Sequence, residues 1–147
     1  MSGFEGAWQH FFENTPYGFT VNYTKVNGGN VEPDLTEVGR QFTLAGFGDS
    51  GNASVFFENS QHTLRLALNY RAETASGFAN YEQPVFVEER KQIDISYQYR
   101  YSDRMTVFLD AQNITDEQTR LFVRYPEMLF LAQDHGPVFK FGVRANF

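Results

Sequence analysis

Apolar and polar residues alternate one for one along most of this chain, the period of a β-strand whose side chains point to opposite faces in turn. Ile93, Ile95, Tyr97, Tyr99 and Tyr101 are interleaved with Gln92, Asp94, Ser96, Gln98 and Arg100. Leu64, Leu66, Leu68 and Tyr70 are interleaved with Arg65, Ala67, Asn69 and Arg71. Met105, Val107, Leu109 and Ala111 then oppose Thr106, Phe108, Asp110 and Gln112, and Phe139, Phe141, Val143, Ala145 and Phe147 oppose Lys140, Gly142, Arg144 and Asn146. Three further strands are predicted nearer the N-terminus. One runs from Phe4 to Glu13, with Phe4, Trp8 and Phe12 on one face and His10 interrupting it. Another carries Phe19, Val21 and Tyr23, and a third, Asn52 to Asn59, carries Ala53, Val55 and Phe57. That makes seven strands.

The connections between them alternate in length. The links at Asn14-Thr15-Pro16, Asn59 to His62 and Ser102-Asp103 are tight and carry turn residues. Those from Asn27 to about Gly51, Ala72 to Arg90 and Asn113 to Gly136 are long, with Gly28-Gly29, Pro33, Gly77 and Pro84 breaking periodicity. Within the last of these, Leu121 to Tyr125 reads as a strand extension or a hairpin of its own. Short turns at one end and long loops at the other are the habit of outer-membrane β-barrels.

Composition bears on which face is wet. The chain has 16 Phe and 8 Tyr but a mean hydropathy of −0.45, which suits strands with one apolar and one polar face. No run approaches the roughly 20 apolar residues of a membrane-crossing helix, which says nothing against membrane-crossing strands. A lipid-facing exterior is expected for three reasons. Charges of both signs, Arg65, Arg71, Asp94, Arg100, Asp110, Lys140 and Arg144, mark the polar face as a wet lumen. Strand lengths of about ten residues match a tilted bilayer span. Tyr70, Tyr97, Tyr99 and Tyr101 stand toward strand ends, where aromatic girdles sit. A net charge of −6 with dispersed basic residues leaves no footprint for nucleic acid, and the lack of cysteine excludes disulfides and thiolate metal sites. The opening MSGFEGAW has neither the basic nor the apolar region of a signal peptide, so the chain is expected to be processed or part of something longer.

Several phrases carry a family resemblance. GFEGAWQ near the start, FTVNYT at Phe19 to Thr24, the hairpin leading into HTLRLALNYR, LDAQNITDE at Leu109 to Glu117 and the terminal FKFGVRANF together resemble the C-terminal part of a TonB-dependent outer-membrane receptor. Ile114 stands where that family usually has Leu. The resemblance covers nearly all of residues 1–147, but only the barrel's end. It implies an all-β, antiparallel transmembrane β-barrel built of meander hairpins, with about seven to eight strands of a larger barrel present. It also implies short periplasmic turns and long extracellular loops. The implied partners are outer-membrane lipid, the barrel-assembly machinery, an N-terminal plug and the TonB complex, and the implied location is the bacterial outer membrane. Phe147, with Ala145, Val143 and Phe141, would form the barrel-assembly signal. Neither plug nor TonB-box sequence is present, so the segment alone is expected to be transport-incompetent.

The expected role is thus a part of a receptor for active uptake of a siderophore, vitamin or carbohydrate. One alternative is a complete eight-stranded outer-membrane barrel with a structural or adhesive role, Leu121 to Tyr125 contributing the eighth strand. Another is a soluble β-barrel binding module. No enzyme is expected. His10, His62 and His135 lack a nucleophile phrase and read as solvated or girdle residues. Loop acids such as Glu32, Asp34 and Glu89 form no calcium-loop pattern, and neither metal nor cofactor is predicted. Among the loop aromatics, which include Phe42, Phe47 and Phe130, the candidates for small-molecule ligand contact are Phe78, Tyr81, Phe86, Phe122 and Tyr125.

Overall fold

A computed structural model describes residues 2–27, 33–37, 39, 41–43 and 45–146. The chain is all-β, and its strands pair antiparallel in two sheets. The larger sheet has seven strands. They are β1 (Ser2–Phe11), β2 (Tyr17–Asn27), β3 (Ser50–Glu58), β4 (His62–Arg71), β7 (Arg90–Ser102), β8 (Met105–Gln112) and β11 (Val138–Ala145), in that spatial order. These are the seven strands that alternation predicts, with the first ending at Phe11 rather than Glu13. The smaller sheet contains β5 (Thr74–Ala79), β6 (Gln83–Val87), β9 (Thr119–Val123) and β10 (Leu129–Gln133), in the order β10-β9-β6-β5. Neither sheet closes among the described residues: β1 and β11 are the edges of one, β5 and β10 of the other.

Pairing register fixes the faces of the large sheet. One row crosses all seven strands as His10, Phe19, Val55, Leu66, Ile95, Ala111 and Phe139. The neighbouring row on the other face runs Phe11, Gly18, Phe56, Arg65, Ser96, Asp110 and Lys140. Period-two geometry then makes one face apolar over its whole width and the other polar, because a slip of one residue in any strand would mix them. No described residue covers the apolar face. Phe141 is 87% exposed and Trp8 67%, and Leu64, Leu66, Leu68, Leu109 and Val143 are all exposed. The few buried apolar side chains, Val85 and Phe122 among them, lie mostly in the small sheet.

The polar face is held by side-chain hydrogen bonds instead of apolar packing. Asn52 Nδ2 donates to Asn69 Oδ1 (2.5 Å), Asn69 Nδ2 to Asp94 Oδ2 (2.9 Å), Gln92 Nε2 to Asp94 Oδ1 (2.7 Å) and Arg90 Nη2 to Gln92 Oε1 (2.7 Å). Ser96 Oγ donates to Asp110 at 2.6 Å, and Arg65 Nη2 to Ser54 Oγ at 3.3 Å. Three aromatic rings, Phe11, Phe56 and Phe108, also lie on this face, and the last two each stand over a cross-strand glycine. A Cβ at Gly142 would stand 2.7 Å from the Phe108 ring, and one at Gly18 would stand 2.4 Å from the Phe56 ring. Glycine at these positions gives the ring a seat against the strand.

Two of the three long links are not loops. The β4–β7 pairing ends at Arg71 with Arg90, and the β5–β6 pairing begins at Thr74 with Val87, three residues further along both strands. The register carries across that step and shifts by one only at a bulge between Ala75 and Gly77, so residues 62–99 form one tall hairpin whose tip is a 3₁₀ turn at Asn80–Glu82. Likewise β9 continues β8 upward and β10 leads down into β11. The small sheet repeats the order of the four strands it stands on, with β5 on β4, β6 on β7, β9 on β8 and β10 on β11. Leu121 to Val123 therefore belongs to this upper sheet and supplies no eighth strand to the lower one. The first link follows the same course. Ala72 N–H donates to Asp49 O (2.9 Å) and Gly46 N–H to Ala75 O (2.8 Å), which prolongs the β3–β4 register along the edge of β5.

Candidate functional site

All three long links meet at one cavity of about 300 Å³, lined by Pro33, Leu35 and Thr43 from the first, Glu73, Thr74, Ala75 and Phe86 from the second, and Phe122, Arg124, Tyr125 and Pro126 from the third. Its floor is set by the upper sheet. Phe86 pairs across to Phe122 between β6 and β9, and their rings stack with centroids 5.2 Å apart and planes 18° apart. Pro84, fully buried, accepts from the backbone N–H of Arg124 (2.9 Å), so the chain leaving β9 is pinned where Arg124 turns with φ of 63°.

Arg124 ties the first link to the third. Its Nη1 donates to Leu35 O (2.8 Å) and its Nη2 to Glu37 O (3.3 Å). Asp34 begins the same turn, accepting from Thr36 Oγ1 (2.6 Å) and Thr36 N–H (2.8 Å), while Gln41 bridges back to Asp34 and Glu37. The Thr36 hydroxyl, the Thr36 amide and the Arg124 charge together hold the Asp34 carboxyl below its ordinary pKa. On the far side of the first link, Asp49 accepts from Val26 N–H (3.0 Å) and Tyr23 Oη (2.8 Å), and those two bonds depress its pKa as well.

Two residues that line the cavity each bury a polar atom with no hydrogen-bond partner among the described residues, Thr74 Oγ1 and Arg124 Nε. Both atoms are buried, and Thr74 as a whole is 4% exposed. Leaving a buried donor unpaired costs about 1–3 kcal/mol, so these two atoms are a local cost of the fold here.

The predicted ligand contacts divide. Phe86, Phe122 and Tyr125 come together at the cavity. Phe78 pairs with Pro84 on the far strand of the hairpin, and Tyr81 sits at the tip, 89% exposed, with φ of 61°. Neither lines the cavity. Sequence reasoning missed Thr74, Glu73 and Arg124, which carry the cavity's polarity. No spacing pattern marks them, because only the ladder from β5 through β6 to β9 brings their segments together.

The seven charged residues predicted for a lumen all fall on the polar face by register: Arg65 beside Ser96, Asp94 beside Ala67, Asp110 beside Lys140, Arg71 beside Arg90, and Arg100 and Arg144 on either side of Thr106. Phe141, Val143 and Ala145 lie on the apolar face. Phe147, central to the proposed assembly signal, lies outside the described residues. His62 joins the aromatic cluster at the short-turn end, its Nδ1 2.8 Å from Tyr97 Oη and its ring stacked on Tyr99 at 5.0 Å. No grouping of metal-ligating side chains occurs among the described residues.

The NITDE phrase has a structural task. Asn113, buried and at φ of 57°, receives Glu117 N–H on Oδ1 (2.9 Å) and donates Nδ2 to Glu117 O (3.1 Å) and Gly136 O (3.3 Å). Ile114 N–H donates to Ile93 O (3.0 Å), and Thr115 Oγ1 bridges Lys91 O and Ile93 N–H (3.3 Å each). The phrase locks the step from β8 to β9 onto β7 and onto the start of β11.

No family model, curated protein or solved structure matches this chain.

Proposed function

We propose that this protein is the C-terminal wall of a TonB-dependent outer-membrane receptor, a transporter part that helps take up a scarce small molecule. One observation carries the reading. Seven adjacent strands keep an apolar face that no described residue covers and a hydrogen-bonded polar face behind it. In water such a face would drive aggregation; in a bilayer it is the surface that a barrel wall shows to lipid. Supporting it are aromatics at the short-turn end of that face, including Tyr17, Phe57, Tyr97 and Tyr99, and turns short at one end and tall at the other. The open edges of β1 and β11 also fit a segment of a larger barrel, because hydrocarbon tolerates no unpaired edge. The NITDE latch and the terminal strand are the phrases that resemble this family.

A blot of the outer-membrane fraction with an antibody to residues 136–147 tests the proposal. A band well above 16.9 kDa is expected, from a chain that also carries a plug. A heat-modifiable band near 16.9 kDa would identify a complete small barrel and remove the transport role. Recovery in the soluble fraction would remove the membrane reading altogether.

A further inference from the structure

The edge made by β11 and β10 is the tallest bare edge of the two sheets. β10 stands on β11, so this edge runs from Leu129 to Ala145, interrupted only at residues 134–137. At the opposite edge β1 has 10 residues, the length of one tilted bilayer crossing, and no described strand stands on it. The far edge of the upper sheet already has company, since Gly46 N–H donates to Ala75 O alongside β5.

All five residues of β10 are exposed, Leu129 by 54%, Phe130 by 56% and Leu131 by 42%. Leu129 lies in the row of Phe122 and Leu131 in the row of Leu121, so these two leucines stand on opposite faces. A surface laid against one face would shelter only one of them. A neighbouring strand shelters both, because its own side chains alternate between the two faces beside them. β10 carries neither charge nor proline to guard its edge against water, only a bulge at Phe130.

The direction of the missing strand follows from the pairings. All six steps from β1 to β11 are antiparallel, so β1 and β11 run the same way. β1 is therefore not the antiparallel neighbour of β11, in the same molecule or in another copy inserted the same way. β11 of a second copy would fit only upside down in the membrane.

We propose that one strand, from receptor sequence other than residues 1–147, pairs antiparallel with β11 and runs on past it to pair with β10. At one residue for each edge position from Leu129 to Ala145 it spans about 17 residues, beyond the roughly 9–11 that a bilayer crossing needs. Its side chains are apolar beside Phe141 and Val143 and polar beside Lys140 and Arg144, as the two faces require. The inference rests on the barrel-wall reading and adds the height, direction and source of the missing neighbour.

Hydrogen exchange with residue-level mass spectrometry, on the full-length protein purified from its source in detergent, tests it. Amides of an edge strand bond alternately to the inner neighbour and outward, so the outward set reports the missing strand. In both β11 and β10 that set is expected to be protected to within about tenfold of the amides of interior β7. Fast outward amides in β10 beside protected ones in β11 would overturn the inference and leave the barrel wall standing. Fast outward amides in β11 would remove the neighbouring strand and the wall together. A single thiol gives an independent readout, since residues 1–147 contain no cysteine. Leu131→Cys should react with a maleimide about tenfold more slowly than Tyr81→Cys at the exposed hairpin tip. Equal rates for the two would overturn the inference.

Discussion

The backbone N–H of Asn113 donates to Asp94 Oδ1 at 2.9 Å, joining the first residue after β8 to the middle of β7. Asp94 is already the hub of the polar face, accepting from Asn69 and Gln92. One carboxylate therefore couples the lower sheet to the turn from which the upper sheet rises. The Asn113 side chain completes the turn with three more bonds, and its left-handed φ is a conformation that Asn tolerates better than most residues.

Asn113→Ala should consequently destabilise the folded protein by about 2–4 kcal/mol, combining lost buried hydrogen bonds with left-handed strain. Asn113→Gly loses the same bonds without the strain and should cost about 1 kcal/mol less. Urea midpoints in detergent, read by tyrosine and tryptophan fluorescence, measure both. Equal midpoints for wild type and Asn113→Ala would mean that the turn holds without its side chain.

Position on a face should outweigh residue type in the lower sheet. Leu66 lies in the middle row of the apolar face, between Val55 and Ile95, and Gln98 lies on the polar face beside Thr63 and Phe108. Leu66→Arg should cost about 2–4 kcal/mol if that row sits at a bilayer midplane, and Gln98→Arg should be tolerated. Folding yield into vesicles compares the two. Equal yields would contradict a lipid-facing apolar surface.

Much of this was legible in advance, and the part that was not has a common cause. Alternation discloses a strand when one face is wet and the other is not, as from Ile93 to Tyr101. In β6 and β9 both faces are partly covered, with Val85 and Phe122 buried on neighbouring strands, and β5 and β6 contain Gly77 and Pro84. With no wet face there is no alternation, so the segments read as loops. The cavity was half legible. Its rings stood out as aromatics in polar surroundings, but Thr74 and Arg124 meet only because the β4–β7 register runs on unbroken into β5–β6.

Phe108 and Gly142 should behave as one unit. Because a Cβ at Gly142 would stand 2.7 and 2.9 Å from ring atoms of Phe108, Gly142→Val is expected to destabilise by about 1–3 kcal/mol through forced displacement of the ring. Phe108→Ala removes the obstacle, so adding it should make the valine much less costly. A double-mutant cycle on denaturant midpoints reads the coupling. Strictly additive effects would show that the ring does not sit on the glycine.

The first link should loosen in acid. Asp49 is held below its ordinary pKa by the Val26 amide and the Tyr23 hydroxyl. A depressed folded pKa means the contribution is fully present above the unfolded value of about 3.9, and is lost as pH falls through the lower, folded value. Protonation leaves the Val26 amide with a weaker acceptor, and the link that Asp49 ties to β2 and, through its carbonyl, to Ala72 should open more often. Hydrogen exchange at the Val26 amide, corrected for its intrinsic rate, should therefore show more protection at pH 6 than at pH 3. Asp49→Asn has no charge to lose and should show low protection with little difference between the two. If the variant retained the wild-type pH dependence, a different group would be fastening this link, and the other described acids with a depressed pKa are Asp34, held by Thr36, and Glu89, held by Lys91 and Tyr70.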